Sequence, residues 1–377
     1  MSDSRCDVVP HHLGSGPEMG KRYLSCIHIE RGMVLNPKRI TACCANPNTG
    51  RTPGLAPFTT DVTAEQIADG RKNIIQDHKA GDIREECVGC PRLTDYDWEA
   101  YAATHAEPAI VEITLAHFST CNIFCNYCYT VQQPKHMAAP LSKAPKTLRM
   151  FQGLIQNGQI SPNATVRFSG GEPTISPEFE DVLTLLSDHG CRSIVYTNAV
   201  KRSDAIVRAL KMDRVGLVVG IDAASREVYM AIKERDYLDR VWTNLAIYTA
   251  AHRPQSTNQV WAKFIFCEEN YEEALTFVEL ASAAGARGIY YDFDASKIKA
   301  RGAPKDLPEA VPLRAAQLVA ECERRGLEVA FAQSGFPWFT PERQSEFDAE
   351  LQRLRSRQLV DIRISAAETG SVLPATH

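Results

Sequence analysis

The chain has 377 residues and a formal net charge of −4, with 44% hydrophobic and 23% charged residues. This composition is ordinary for a globular protein, and the absence of a Lys/Arg-rich block argues against nucleic acid as the main partner. The first residues lack the apolar segment of a signal peptide, and no apolar run approaches the roughly 18 residues of a membrane helix. We therefore expect a cytoplasmic protein that uses its twelve cysteines as metal ligands or reactive thiols rather than in disulfides.

Residues 1–108 are rich in Pro, Gly and Asn and are predicted to form an irregular, cysteine-rich N-terminal extension. From about residue 109, short apolar segments alternate with amphipathic helices, a pattern typical of strands buried on both faces. The predicted strands are 109–118, a segment ending near 170, 193–199, 215–222, 260–266 and 287–294, with a possible further strand at 327–332.

Alternating strands and helices predict an α/β fold with right-handed crossovers. A complete eight-fold barrel needs about 250 residues, so residues 109–335 are predicted to form a partial (β/α)6 TIM-type barrel. Residues 336–377 are expected to form a C-terminal helix and a flexible tail.

Three cysteines with the spacing C-x3-C-x2-C follow directly on the first predicted strand: Cys121, Cys125 and Cys128. The carboxyl ends of strands are where such sheets place their chemistry. Three thiolates can hold three irons of a [4Fe–4S] cluster and leave the fourth without a protein ligand. An incomplete ligand shell is typical of a metal site that binds substrate.

The C-x3-C-x-aromatic-C pattern, with Tyr127 in the aromatic position, resembles the radical S-adenosylmethionine (radical SAM) enzymes. The resemblance implies that the open iron binds the amino and carboxylate groups of SAM, and that a 5′-deoxyadenosyl radical removes a substrate hydrogen. Iron–sulfur potentials reach about −700 mV, low enough for this reduction. The resemblance also implies an electron donor such as a reductase, flavodoxin or ferredoxin. The alternative is a zinc knuckle completed by His117 or His136.

A second motif, "FSGGEP" at 168–173, resembles the GGEP motif of the same family. The resemblance implies that Gly170 and Gly171 let the backbone approach SAM, because a Cβ would block that approach. It also implies that the negative charge of Glu172 faces the ammonium group of SAM. The alternative is an ordinary turn.

Further residues match the family less specifically. Asn198 lies at the end of the third predicted strand and Asp222 after the fourth, where family members carry ribose-binding polar groups. Lys233 is a candidate partner of the SAM carboxylate. Each of the three is otherwise an ordinary strand-end polar residue or an exposed lysine. Tyr290 or Asp292 is expected in the adenine or substrate pocket.

Five cysteines of the N-terminal region form a possible second site: Cys26, Cys43, Cys44, Cys87 and Cys90. Neighbouring residues of an extended segment point to opposite faces, so only one of the adjacent pair is expected to bind, with Cys43 preferred. Resemblance to the SPASM and twitch extensions of radical SAM enzymes implies an auxiliary [4Fe–4S] cluster, although those extensions usually follow the barrel. Structural zinc and buried free thiols are the alternatives.

Cys267 ends the fifth predicted strand and is expected at the rim of the active site. A thiol can donate a hydrogen atom to a carbon radical, as in radical SAM epimerases; the alternative is a small buried apolar residue. Cys191 and Cys322 are expected to be structural, and Cys6 is expected to take no part.

The chain resembles radical SAM proteins of oligosaccharide-antibiotic (avilamycin-type) biosynthesis, which implies epimerisation of a carbon in a sugar or oligosaccharide. The alternatives are a two-cluster dehydrogenase of an alcohol or aminocyclitol, a peptide-modifying maturase, and a zinc-stabilised binding protein without SAM chemistry. Neither nucleic acid nor a membrane is an expected partner.

Overall fold

The structure, a computed structural model, describes residues 22–44, 46, 50–104, 110–128, 147–253, 255–256, 258–294, 296, 306–331 and 339–369. Its strands are β1 Tyr23–Ser25, β2 Gly32–Leu35, β3 Arg39–Thr41, β4 Gly54–Pro57, β5 Thr94–Tyr96, β6 Ile110–Leu115, β7 Ile160–Phe168, β8 Arg192–Thr197, β9 Val215–Gly220, β10 Val260–Phe266, β11 Gly288–Phe293 and β12 Glu328–Phe331. Its helices are α1 Ile27–Arg31, α2 Ala64–Ala80, α3 Trp98–Thr104, α4 Thr147–Gln156, α5 Phe179–His189, α6 Asp204–Lys211, α7 Arg226–Lys233, α8 Leu238–Ala251, α9 Ala274–Ala283, α10 Val311–Arg324 and α11 Pro341–Thr369.

One large sheet dominates the fold, in the order β12-β11-β10-β9-β8-β7-β6-β2-β3-β4. Strands β6 to β12 lie side by side in chain order, and each neighbouring pair is parallel. The predicted parallel α/β sheet is therefore confirmed. The possible seventh strand exists as β12, so the sheet exceeds the six predicted strand–helix units.

The described part of the N-terminal region forms regular strands and helices, contrary to the prediction of an irregular extension. Strand β2 pairs in parallel with β6, and β3 and β4 extend the sheet with antiparallel pairing. Helix α2 has 17 residues and begins with a capping box between Thr63 and Gln66, a sequence signal that sequence reasoning missed.

The residues of the parallel strands alternate between a buried face and a half-buried face. Phe264 belongs to the buried face, where its ring lies 4.8 Å from Phe277 of α9. We call the other face the concave face; it carries Thr114, Arg167, Tyr196, Lys263 and Tyr290, all half-buried.

The sheet curves strongly. The rings of Tyr196 on β8 and Tyr290 on β11 approach to 6.4 Å between centroids, although β9 and β10 separate their strands. This approach requires the sheet to curl around the concave face, as in a partial barrel.

Helix α11 lies in the region 336–377, for which a C-terminal helix and a flexible tail are expected, and residues 370–377 of that region fall outside the described residues. None of the helices that the structure describes is long and apolar enough to cross a membrane.

Candidate active site

The predicted metal-binding cysteines lie in one loop, residues 121–128, which we call the cysteine loop. It follows β6 at the carboxyl edge of the sheet. Segments from β7, β8, β9 and β10 and the end of α7 meet the loop at this edge, as expected for parallel strands.

The glycines of the second motif hold the start of this loop. The Gly171 amide donates to the Phe118 carbonyl at 2.6 Å, and the Glu172 amide donates to the Thr120 carbonyl at 2.9 Å. A Cβ on Gly170 would lie 2.4 Å from the Phe118 oxygen, and one on Gly171 would lie 2.2 Å from the Thr120 oxygen. In this structure the glycines are therefore needed for contact with the backbone before Cys121, whereas the sequence analysis related them to SAM.

We expect Gly171→Ala to destabilise the fold by about 1–3 kcal/mol, because the added methyl group must displace the backbone of residues 119–120. The measurement is chemical denaturation of the apoprotein. Gly54→Ala is the matched control, since a Cβ at Gly54 meets no atom within 4 Å. Equal unfolding free energies for the two variants would contradict the assigned contact.

The carboxylate of Glu172 is directed into the protein and is 1% exposed. It accepts hydrogen bonds from the Thr174 amide (3.0 Å) and hydroxyl (2.6 Å), the Thr197 hydroxyl (2.7 Å) and the Asn198 amide (2.6 Å). Burial raises the pKa of Glu172, and these donors act in the opposite direction. With these bonds, Glu172 joins the ends of β7 and β8; the predicted ammonium contact stays a prediction.

Asn198 connects the end of β8 to the first cysteine. Its side-chain amide donates to Asn122 Oδ1 at 2.7 Å and lies 3.6 Å from Cys121 Sγ. A hydrogen bond to a cysteine sulfur is one of the means by which proteins adjust an iron–sulfur potential. The predicted ribose contact of Asn198 is untested by this geometry.

The C-terminal end of α7 supports the second half of the cysteine loop. The Phe124 and Asn126 amides donate to the carbonyls of Lys233 (3.1 Å) and Ile232 (2.9 Å). These carbonyls belong to the last turn of the helix, where intrahelical partners are lacking. The Asn126 side chain also donates to Glu269 Oε1 at 2.7 Å, so a residue beyond β10 binds the same loop.

A largely buried triad of Tyr127, Asp222 and Lys233 connects the cysteine loop to the residues that follow β9 and to the end of α7; Tyr127 itself is half-buried. The Tyr127 hydroxyl donates to Asp222 Oδ2 at 2.5 Å, and Lys233 Nζ donates to Tyr127 Oη at 2.7 Å. Lys233 also forms an ion pair with Asp222, and these two residues are 1% and 0% exposed. Burial would lower the pKa of Lys233, but the charge of Asp222 raises it above the ordinary value.

Asp222 also joins the strands beneath the triad. Its Oδ1 accepts from the Ile265 amide at 2.7 Å, and its carbonyl accepts from the Asn270 side chain at 2.8 Å. Its φ of 64° lies in the left-handed region, an uncommon conformation in which Asn and Asp are enriched. The structure thus brings Asp222 and Lys233 together as a buried pair, where the sequence analysis expected separate contacts with ribose and carboxylate.

The donors of the cysteine loop suit an iron–sulfur cluster, because cysteine thiolates are the ligands that such clusters use. Burial raises the pKa of Cys121 to about 11. Burial also raises the pKa of Cys125, while the Lys233 charge acts to lower it. In the described residues, no three His, Cys, Asp or Glu side chains are gathered closely enough to hold a metal ion, so the fit rests on donor chemistry and on the backbone support of the loop.

The N-terminal cysteines belong to three segments whose thiols lie near enough to raise one another's pKa. Cys26 precedes α1, Cys43 follows β3, and Cys87 and Cys90 are joined by a hydrogen bond from the Cys90 amide to the Cys87 carbonyl. Burial raises the pKa of Cys43, and the neighbouring thiols of Cys26, Cys44, Cys87 and Cys90 raise it further. Cys43 is half-buried and Cys44 exposed, which favours Cys43 as the ligand.

Cys267 is 1% exposed and follows the end of β10. Because side chains alternate along a strand, Cys267 lies on the same concave face as Lys263. Its amide donates to Asn270 Oδ1 at 2.9 Å. Burial, and then the nearby Glu269 carboxylate, raise the pKa of its thiol. Cys191 and Cys322 belong to the hydrophobic core, in agreement with their predicted structural role.

The residues of the zinc alternative are only partly described. His117 is hydrogen-bonded to the Thr147 hydroxyl at 3.3 Å, and burial lowers its pKa to about 4. His136 and Cys6 lie outside the described residues.

Sequence reasoning missed three residues that bind the cysteine loop or lie in it: Asn122, Asn126 and Glu269. The only feature of the sequence that could have indicated them is their position next to a cysteine or just after a strand.

Residues 115–287 match the model of the Radical SAM superfamily. The matched segment begins at the end of β6 and includes the cysteine loop, the glycine motif, the buried triad and Cys267. The cofactors are accordingly a [4Fe–4S] cluster and SAM.

Curated relatives match over part of their length. The probable GTP 3′,8-cyclase of Methanothermobacter thermautotrophicus is 26% identical over 183 residues, which cover 44% of this chain and 56% of the relative. GTP 3′,8-cyclase 1 of Mycobacterium tuberculosis is 23% identical over 190 residues, covering 48% of this chain and 51% of the relative. The chain spans about half the length of these curated relatives.

Solved structures resemble the fold more loosely. Streptococcus suis SuiB bound to S-adenosylmethionine aligns with a TM-score of 0.44 and 13% identity, covering 83% of this chain and 70% of that chain. The protein anSMEcpe with bound AdoMet and a peptide aligns with a TM-score of 0.45 and 13% identity, covering 58% of this chain and 62% of that chain.

Proposed function

We propose that this chain, which carries a Radical SAM superfamily domain, is a radical SAM enzyme that epimerises a carbon of a sugar or oligosaccharide. The bound cluster and SAM supply a 5′-deoxyadenosyl radical that can remove a hydrogen atom from an unactivated C–H bond. Cys121, Cys125 and Cys128 would hold that cluster, and the contacts around the cysteine loop would keep it at the mouth of the concave face.

The position of Cys267 is the observation that supports epimerisation. Its position on β10 continues the row of concave-face residues beyond Lys263, at the same edge as the cysteine loop. In the proposed reaction the Cys267 S–H bond breaks and a C–H bond forms on the opposite face of the substrate carbon. Before the next turnover, the thiyl radical left on Cys267 must gain one proton from solvent. It must also gain one electron from an external donor such as a flavodoxin, a ferredoxin or a reductase.

Burial of Cys267 suits this role. A thiol enclosed beside Glu269 is kept from solvent oxidants, and its raised pKa keeps it protonated at neutral pH. Only the protonated form can donate a hydrogen atom, whereas the thiolate is the form that reacts as a nucleophile or metal ligand.

Deuterium incorporation tests this assignment. Substrate turned over in deuterated water is expected to carry one deuterium at the inverted carbon, because a thiol exchanges its proton with solvent. Cys267→Ala is expected to lose inversion while still forming 5′-deoxyadenosine, and Cys322→Ala, a buried core cysteine, is the matched control. Undiminished inversion in Cys267→Ala would remove the role assigned to that residue.

A second candidate function is a two-cluster dehydrogenase, which the N-terminal cysteines favour. Cys26, Cys43, Cys87 and Cys90 provide four thiols, the ligand number of a closed [4Fe–4S] cluster, and such a site could accept the second electron of an oxidation. Anaerobic reconstitution is expected to give about eight irons per chain with this site filled and about four without it. Oxidised product free of deuterium would support the dehydrogenase over the epimerase.

A further inference from the structure

Two cationic side chains lie on the concave face that the proposed function assigns to the substrate. Arg167 stands on β7 and Lys263 on β10, and both are half-buried. In the part of the chain that the structure describes, neither cation has a carboxylate within ion-pair distance. Among the described residues, the buried Nε of Arg167 has no hydrogen-bond partner. A partly desolvated guanidinium with an unsatisfied donor is an unusual arrangement, because buried polar groups are normally paired.

Two tyrosines connect these cations across the face. Lys263 Nζ lies 5.8 Å from the ring centroid of Tyr290, and the Tyr290 ring contacts Tyr196. Burial raises the pKa of Tyr196, and the nearby Arg167 charge acts in the opposite direction, as does a hydrogen bond with Tyr290. The four side chains therefore form a continuous row: Arg167, Tyr196, Tyr290 and Lys263.

Two acidic side chains of the same face have polar partners outside the row. Glu112 lies 3.6 Å from His28 Nδ1, and Asp292 accepts a hydrogen bond from the Phe293 amide at 2.7 Å. Among the described residues, the row thus presents cationic and phenolic groups with no carboxylate at ion-pair distance from Arg167 or Lys263.

We propose that this row binds an oxyanion of the substrate, either a phosphoryl group or a carboxylate. The guanidinium of Arg167 matches the geometry of both groups through two parallel N–H donors. Lys263 supplies a further donor, and so does the Tyr196 hydroxyl, which accepts from Tyr290 and keeps its own proton. This inference rests on the proposed function and narrows its substrate to a sugar that carries an acidic group.

Anion binding tests the inference without any turnover. Inorganic phosphate and acetate are titrated separately into the anaerobic holoenzyme at constant ionic strength set with chloride, and the dissociation constant is taken from calorimetry. We expect one of the two anions to bind in preference to chloride, which identifies the group. Arg167→Gln and Lys263→Gln are each expected to weaken that binding by at least about tenfold, and Arg167→Lys is expected to restore part of it.

Arg208→Gln is the matched control, since Arg208 is exposed on α6 and should leave the dissociation constant unchanged. If neither anion competes with chloride, or if both glutamine variants bind as tightly as the unaltered chain, the inference is wrong. Should one glutamine variant fail to fold, the other still decides the outcome. SAM cleavage by the unaltered chain, measured separately, reports on the proposed function, so the two ideas can fail independently.

Discussion

Replacement of Cys125 by alanine is expected to lower the rate of reductive SAM cleavage by at least a hundredfold. The reason is that Cys125 is one of only three thiols in the cysteine loop, whereas changes to groups that merely orient metal ligands typically cost about 10–100-fold. Reconstituted Cys125→Ala is also expected to lose the iron and sulfide of one cluster. The measurements are iron and sulfide content and the yield of 5′-deoxyadenosine.

Cys191→Ala is the matched control for this variant. Cys191 is a buried cysteine that precedes β8 at the opposite edge of the sheet and contacts the Ser161 carbonyl through its thiol. It should retain full cluster content and cleavage. Unchanged cleavage in Cys125→Ala would show that the cysteine loop does not hold the reactive cluster.

Lys233→Met is expected to lower the free energy of unfolding of the apoprotein by about 3–5 kcal/mol, because removal of one partner leaves the other charge buried and uncompensated. Asp222 would keep its negative charge at 0% exposure, and Tyr127 would lose its lysine neighbour. We expect the cysteine loop to become more mobile at 124–127, since the end of α7 carries the carbonyls that bind it. Denaturant unfolding gives the energy, and amide hydrogen exchange gives the loop opening.

Two further variants separate the buried pair from a general effect of losing a lysine. Lys211→Met removes an exposed lysine from the last turn of α6 and should change the unfolding free energy by less than about 0.5 kcal/mol. The double variant Asp222→Asn/Lys233→Met removes both charges and should recover part of the loss, since asparagine tolerates the left-handed backbone of position 222. A double variant that is less stable than Lys233→Met alone would contradict the account of the pair.

Local patterns in the sequence predicted the resemblance that the Radical SAM superfamily model confirms over residues 115–287. The spacing of Cys121, Cys125 and Cys128 and the paired glycines at 170–171 depend on residues close in the chain, so they can be read from a short segment. The parallel sheet was predictable for the same reason, since each strand has its own apolar run and each crossover its own helix.

Contacts between distant segments could not be predicted in the same way. Tyr127 and Lys233 are 106 residues apart, and nothing near either residue shows that they share a buried carboxylate. The parallel pairing of β2 with β6 could not be predicted either, because the two strands are far apart in the chain. For Glu172, the charge was evident from the sequence, but its direction was set by Thr174, Thr197 and Asn198 after folding.

The direct test of the central claim is electron paramagnetic resonance of the anaerobically reconstituted, dithionite-reduced chain with and without SAM. We predict a [4Fe–4S]⁺ signal whose g-values shift when SAM is added, together with formation of 5′-deoxyadenosine. A signal that is unchanged by SAM, with SAM recovered intact, would contradict the assignment of the cysteine loop as the site of SAM cleavage.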